Sequence, residues 1–191
     1  MATADKYKNF VHLARHAEEG VDYDILIRKA RGSAVAVVAP HGGKMELRTE
    51  EMARAIAGKK HALYVFRGMC KNAFNELHVT STHFDEPRCL DLVARSDVTV
   101  TIHGSRVAEP VVFLSAMDKA LQKKLMQAFT KAGVRAVADE THPYQSGKDP
   151  RNICNRNRRG QGVQLEFSRG IRDNPRLAAK CVKAVRACLK N

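Results

Sequence analysis

Two histidines and two glutamates carry the chemistry that this sequence offers: His41, Glu46, His103 and Glu166. Two imidazole nitrogens and one carboxylate form a ligand set used by catalytic zinc, with a fourth position open to water. Glu166 is then a spare carboxylate, suited to act as general base. His41 and Glu46 sit in Ala39-Pro-His-Gly-Gly-Lys-Met-Glu46, directly after the apolar run from Ala34 to Ala39, and His103 closes Val98-Thr-Val-Thr-Ile-His-Gly104. Glu166 lies inside Gly162-Val-Gln-Leu-Glu-Phe167, where flanking Leu165 and Phe167 favour burial and a raised pKa. The spacing is not that of the zincin helix, His-Glu-x-x-His. A helix-capping loop with a hydrogen-bonded histidine, and a Glu166 paired with an arginine, would produce the same letters.

Strand-like and helix-like segments alternate along the chain, as in an α/β fold. The expected architecture is three α/β/α layers around a mixed, mostly parallel sheet, with residues 1–191 forming one domain. Both histidines then stand at strand ends, where open α/β sheets collect ligands. Thr49 is expected to cap a helix that Gly58 stops, with a strand following from Ala62 to Phe66. Helical periodicity returns at Cys89 after Pro87, a capping box at Ser115 to Asp118 starts a helix ending near Gly133, and Val134 to Ala138 reads as a short strand. Residues 140–162, rich in Pro, Gly, Asn and Arg, read as a long loop and a candidate substrate wall. Pro175 opens a basic terminal helix. The segment up to Arg28 has no clear assignment.

Four blocks in order resemble the poly-γ-glutamate hydrolases of phages and prophages: Ala39 to Glu46, Leu77-His-Val-Thr-Ser-Thr-His-Phe-Asp-Glu-Pro87, Ile102-His-Gly104, and Gly160-Gln-Gly-Val-Gln-Leu-Glu-Phe-Ser-Arg-Gly-Ile-Arg172. The resemblance runs through most of the chain. It implies a compact zinc hydrolase related in fold to the zinc carboxypeptidases, with poly-γ-glutamate as its anionic polymer substrate. It also implies that His41, Glu46 and His103 hold the metal and that Glu166 activates water. The larger carboxypeptidases space their first ligands as His-x-x-Glu, whereas four residues separate His41 from Glu46 here. Glu50 and Glu51 are nearby substitutes, although acids in a first helical turn already have a role at the positive end of the macrodipole.

Arginine forks match carboxylates in two-point contacts, so Arg106 and Arg158 are the first choices for holding substrate, with His78 a further contact. Glu140 or Asp139 would be next in line as base. Ser81 and Ser105 lack the Gly-x-Ser-x-Gly elbow of a serine hydrolase. The five cysteines include no Cys-x-x-Cys pair and are read as reduced core residues.

The formal charge is +13, and residues 141–191 hold twelve Lys and Arg against three Asp and Glu, a local +9. A basic field beside Glu166 would concentrate a polyanion. Two other classes compete with polymer hydrolysis. One is a zinc amidohydrolase or carboxypeptidase acting on a small N-acyl amino acid or peptide. The other is a basic nucleic-acid-binding protein, disfavoured by 6% aromatics and the absence of Trp for base stacking. No apolar run approaches membrane-spanning length, and the first ten residues lack the apolar core of a signal peptide. A monomer in the cytosol, reaching substrate on host lysis if phage-encoded, is the expectation.

Overall fold

The alternation in Val98-Thr-Val-Thr-Ile-His sends every second side chain to the same face of a strand, and that period decides where the chemistry goes. The protein is described by a computed structural model covering residues 5–138 and 145–189. Its helices are α1 (Phe10–Leu13), α2 (Thr49–Ala57), α3 (Ala73–Leu77), α4 (Pro87–Ala94), α5 (Lys119–Lys131), α6 (Arg169–Arg172) and α7 (Pro175–Cys188). The strands are β1 (Tyr23–Arg28), β2 (Val35–Gly43), β3 (Ala62–Gly68), β4 (Val98–Gly104), β5 (Val112–Ala116), β6 (Ala136–Ala138) and β7 (Val163–Phe167). They form one sheet in the order β1-β3-β2-β4-β7-β5-β6. The β1–β3 and β5–β7 pairs are antiparallel and the other four are parallel. This is the mixed, mostly parallel sheet of a zinc-carboxypeptidase-like α/β fold.

Each face of the sheet buries its own core. Val35, Val37 and Ala39 of β2, Val100 and Ile102 of β4, and Val163, Leu165 and Phe167 of β7 pack with α2, α5 and α7. On the opposite face Ala36 and Val38 join Tyr64 and Phe66 of β3, with α1, α3 and α4 above them. Burying each Val, Leu or Phe side chain contributes about 1.5–3 kcal/mol, so two aliphatic faces hold the central strands firmly. Thr99, Thr101, His103, Gln164 and Glu166 therefore project onto the face that carries the second core.

Helix starts depart from expectation in instructive ways. Thr49 does not cap α2: Arg48, in the left-handed region at φ 71°, precedes the helix without a side-chain cap. The Thr49 hydroxyl instead donates to the carbonyls of Glu46 and His41, at 2.7 and 3.2 Å. Ser115 lies in β5, a strand that the capping reading concealed, and it is Asp118 that accepts from Leu121 N–H to start α5. The expected loop over 140–162 contains two short 3₁₀ turns, Gln145–Lys148 and Ile153–Asn155, among its described residues. Asp139 and Glu140, the reserve bases, lie outside the described residues.

Candidate active site

The site is assembled at the carboxyl ends of β2, β4 and β7. His103 and Glu166 are register partners on neighbouring parallel strands, so their side chains leave the same face side by side. His41 arrives differently. The β2–β3 register shifts between Ala39 and Gly42, a bulge that re-aims the chain. The two glycines after it are sterically required: a Cβ on Gly42 would lie 2.5 Å from Val65 Cγ1, and one on Gly43, at φ +63°, would lie 2.5 Å from the Gly68 carbonyl oxygen. The loop then closes when Glu46 N–H bonds to the His41 carbonyl at 3.0 Å. This closed loop accounts for the four-residue spacing: backbone bonding, and not a helical turn, returns Glu46 to His41.

All four side chains are buried, with His41 and His103 2% exposed, Glu166 5% and Glu46 8%. His41 Nδ1 lies 3.2 Å from Glu46 Oε1 and 3.2 Å from His103 Nδ1, while His103 Nδ1 lies 3.8 Å from Glu46 Oε2. The far nitrogens face the protein: His41 Nε2 is 2.9 Å from the Val79 carbonyl oxygen and His103 Nε2 is 3.3 Å from Ser81 Oγ. A carbonyl only accepts, so His41 Nε2 donates to Val79, and its Nδ1 faces Glu46 either as a proton donor or, once deprotonated, as a metal ligand; the Ser81 hydroxyl can take either role towards His103 Nε2. Glu46 Oε2 is held by Gly104 N–H at 2.8 Å, which leaves Oε1 turned to His41.

A proton on one Nδ1 joins His41 to Glu46 or to His103; with both Nδ1 atoms deprotonated, the two lone pairs and the carboxylate leave a place for a cation. Their separations suit one. Ligand atoms about 2.0–2.1 Å from a tetrahedral ion lie about 3.3 Å from each other, close to the two 3.2 Å distances. Ligand atoms of His41, Glu46 and His78 also lie within 4.8 Å of one another, close enough to share an ion. The His78 ring lies tilted against His41 with centroids 4.1 Å apart, and its Nδ1 bonds to Asp5 Oδ1 at 2.6 Å. These donors are the borderline nitrogen and hard oxygen atoms that zinc accepts, so the residues fit a zinc ion.

The electrostatics follow from burial and proximity. Burial alone would raise the Glu46 pKa, but His41 and its hydrogen bond outweigh it and hold the carboxyl at about 2. Desolvation brings His103 down to about 3. Burial would likewise lower His41, yet the Glu46 charge reverses the direction and its pKa is raised. Glu166 is pushed well above the usual carboxylate range, first by desolvation and then by Glu46, against the hydrogen bond it accepts from Gln164 at 2.9 Å. Its Oε1 lies 4.0 Å from His103 Nδ1.

The structure does not bring every expected residue here. Arg106 is exposed at the rim, its guanidinium 5.0 Å from the centroid of Phe74, whose ring is 4.7 Å from that of His78. No carboxylate partner holds it among the described residues. Arg158 stands at the other end of the sheet, where it pairs with Asp97 at 3.1 Å. Asp97 is six residues before His103 on an extended strand, about 20 Å away at roughly 3.3 Å per residue. The basic quarter is likewise not a single field beside Glu166: Arg159 pairs with Asp118, Arg151 with Asp149 and Arg169 with Asp173. Of the substitutes for Glu46, Glu50 is engaged by Arg54 and Arg67. Asp5, Gln164 and Arg172 were missed by sequence reasoning because their partners lie on other segments, and only the extended block ending at Arg172 hinted at that last residue.

With this geometry in place, comparison with known proteins is specific. The family model for poly-gamma-glutamate hydrolase matches residues 7–180. The SPbeta prophage-derived protein YoqZ of Bacillus subtilis (strain 168) is 36% identical over 165 residues, 86% of this chain and 59% of that protein. The chain therefore spans about three fifths of this curated relative. The structure of a bacteriophage poly-gamma-glutamate hydrolase superposes with a TM-score of 0.89 at 26% identity, covering 97% of this chain and 96% of that one. A zinc-free apo structure of YndL superposes with a TM-score of 0.88 at 30% identity, covering 98% of each chain.

Proposed function

The chain belongs to the poly-γ-glutamate hydrolase family, and from that premise we propose that it is a zinc-dependent hydrolase of the γ-glutamyl amide bonds of poly-γ-glutamate. The observation that carries this reading is the gathering of His41 Nδ1, His103 Nδ1 and the Glu46 carboxylate within 3.2–3.8 Å of one another, with a second carboxylate, that of Glu166, 4.0 Å from His103 Nδ1 on the adjacent strand. His41, Glu46 and His103 hold the ion, and His78, steadied by Asp5, lies against His41 as a substrate contact. Zinc in such a site lowers the pKa of an adjacent water to about 7 and polarises the scissile carbonyl.

The remaining work falls to the protein. Glu166 accepts a proton from the attacking water as its oxygen bonds to the amide carbon. It returns that proton to the amide nitrogen as the C–N bond breaks, releasing a carboxylate and an amine. Gln164, bonded through its side-chain oxygen to Asn152 at 2.8 Å, fixes one Glu166 oxygen and leaves the other for the water. Arg106 at the rim supplies a planar cation for a substrate carboxylate, with Phe74 supporting its flat face.

The test is to supply zinc and digest defined γ- and α-linked oligoglutamates, then size the products. Cleavage of γ-linked chains alone supports the proposal. Cleavage only of α-linked peptides, or only of small N-acyl amino acids, replaces it with the corresponding peptidase or amidohydrolase.

A further inference from the structure

Arg172, the last residue of α6, is 5% exposed and makes no direct salt bridge with any described residue. Its guanidinium donates instead to three backbone carbonyls: Nε to Phe167 at 2.9 Å, Nη2 to Ser105 at 2.8 Å, and Nη1 to Leu47. These acceptors belong to three separate segments. Leu47 follows Glu46, Phe167 follows Glu166, and Ser105 lies two residues beyond His103. A single planar group thus touches the chain immediately after each of the glutamates and close behind the second histidine.

The surroundings are built to admit it. A Cβ on Gly104 would lie 2.7 Å from the Arg172 Cζ and 2.8 Å from its Nε, so the glycine after His103 makes room for the guanidinium. Gly170 seats α6 equally closely, since a Cβ there would lie 2.2 Å from the Ala108 carbonyl oxygen, and Arg169 N–H bonds to the Val107 carbonyl at 2.9 Å. Desolvation lowers the Arg172 pKa, opposed by Glu46, Asp173 and Glu166. A buried cation whose direct partners are carbonyls is costly as a stability device, because Glu46, Asp173 and Glu166 offset its desolvation only in part and from beyond ion-pair contact. Its fork geometry is nevertheless able to set the relative positions of three strand ends.

We propose that Arg172 is a positioning residue for hydrolysis, locking the Glu46, His103 and Glu166 segments into one fixed arrangement. The inference rests on the hydrolase reading above for its catalytic consequence, but not for its effect on the metal. A misplacement of about 1 Å costs up to ~10²-fold in turnover, and loosened ligand support costs ~10–100-fold in metal affinity. A lysine cannot replace the fork, because one ammonium does not span three carbonyls in a plane.

The experiment compares Arg172→Ala, Arg172→Lys and Arg172→Gln with Arg169→Ala, an exposed neighbour on the same short helix. Zinc affinity is measured by chelator competition, and kcat and KM are measured per bound zinc, so that a loss of folded protein does not imitate a loss of turnover. We expect kcat to fall ~10²-fold in Arg172→Ala with KM little changed, and zinc affinity to fall ~10–100-fold. Arg172→Lys should recover little. Arg172 also lines a groove of about 600 Å³ between α2 and α7, so added methylguanidinium should reach the vacated space and restore turnover to Arg172→Ala. A merely structural role would show the reverse, because a denaturant-like cation would lower activity further. Should Arg172→Ala fail to fold, the Lys and Gln variants carry the same readouts. Parent-like kcat and zinc affinity in Arg172→Lys, or loss confined to the folded fraction, would overturn the proposal. A parent protein that binds zinc yet cleaves no polyglutamate would instead defeat the hydrolase reading, while the affinity series would still report on Arg172.

Discussion

The two ends of the same strands treat charge in opposite ways. At the amino end of β4, Asp97 is 44% exposed in its side chain and pairs with Arg158; nearby Asp118, which precedes α5, pairs with Arg159. Polar side chains there find ordinary partners, as when Asn157 donates to Thr99 at 3.2 Å. At the carboxyl end, His41, His103, Glu46 and Glu166 are all buried, their protonation is displaced, and His41 Nδ1 stands 3.2 Å from both Glu46 Oε1 and His103 Nδ1. The exposed Arg158–Asp97 pair stabilises a fold weakly, whereas a buried cluster of titratable groups with displaced protonation marks a candidate functional site. Charge by itself therefore does not mark the site; unneutralised, buried polarity does.

The largest effect expected from this contrast is at the base. Glu166→Gln should retain zinc and fold while losing ~10²- to 10⁴-fold in kcat, measured by product release from γ-linked oligomers. Activity within a few-fold of the parent would remove Glu166 from that role. Next is the support of His103: Ser81→Ala should weaken zinc binding by ~10–100-fold, read by chelator competition. Unchanged affinity would show that the Ser81 contact does not orient the ring. At the rim, Arg106→Ala should raise KM by roughly 10-fold for a charge-assisted pair of about 1.5 kcal/mol, with kcat nearly constant.

The contrast also has a pH signature. In metal-free protein, the folded-state pKa of Glu166 lies above the unfolded value of 4.5. The native state then binds more protons than the unfolded chain, so this group's contribution is fully present below about pH 4.5 and is lost as pH rises towards the folded pKa. Glu166→Gln removes that loss. The melting temperature of the metal-free variant should rise relative to the parent between pH 4 and pH 8, and a constant difference would contradict the raised pKa. Smallest of all is the amino end: Arg158→Gln should change stability by no more than about 1 kcal/mol and leave turnover unaltered.

How much of this was legible beforehand depended on whether the determining contact was local. The apolar runs of β4 and β7 placed His103 and Glu166 on strands, but the parallel pairing and register that make them neighbours join residues 63 positions apart and were not legible. The His-Gly-Gly loop was readable as a ligand loop, but not its closure through Glu46 N–H and the Thr49 hydroxyl, because Thr49 also reads as a helix cap. β5 was hidden behind the same kind of ambiguity at Ser115. Arg158 and the basic quarter misled because a count of charges does not reveal their partners: Asp97 lies 61 positions from Arg158. Asp5 is 73 positions from His78, and Arg172 is 125 from Leu47, so no local pattern could announce either contact.

The central claim is that His41, Glu46 and His103 converge on one cation, and crystals grown with zinc and measured at its absorption edge address it most directly. The account predicts one anomalous peak bounded by His41 Nδ1, His103 Nδ1 and Glu46 Oε1, absent from His103→Ala crystals. A peak coordinated by His41, Glu46 and His78 with His103 left aside, or one that persists undiminished in His103→Ala, would contradict it.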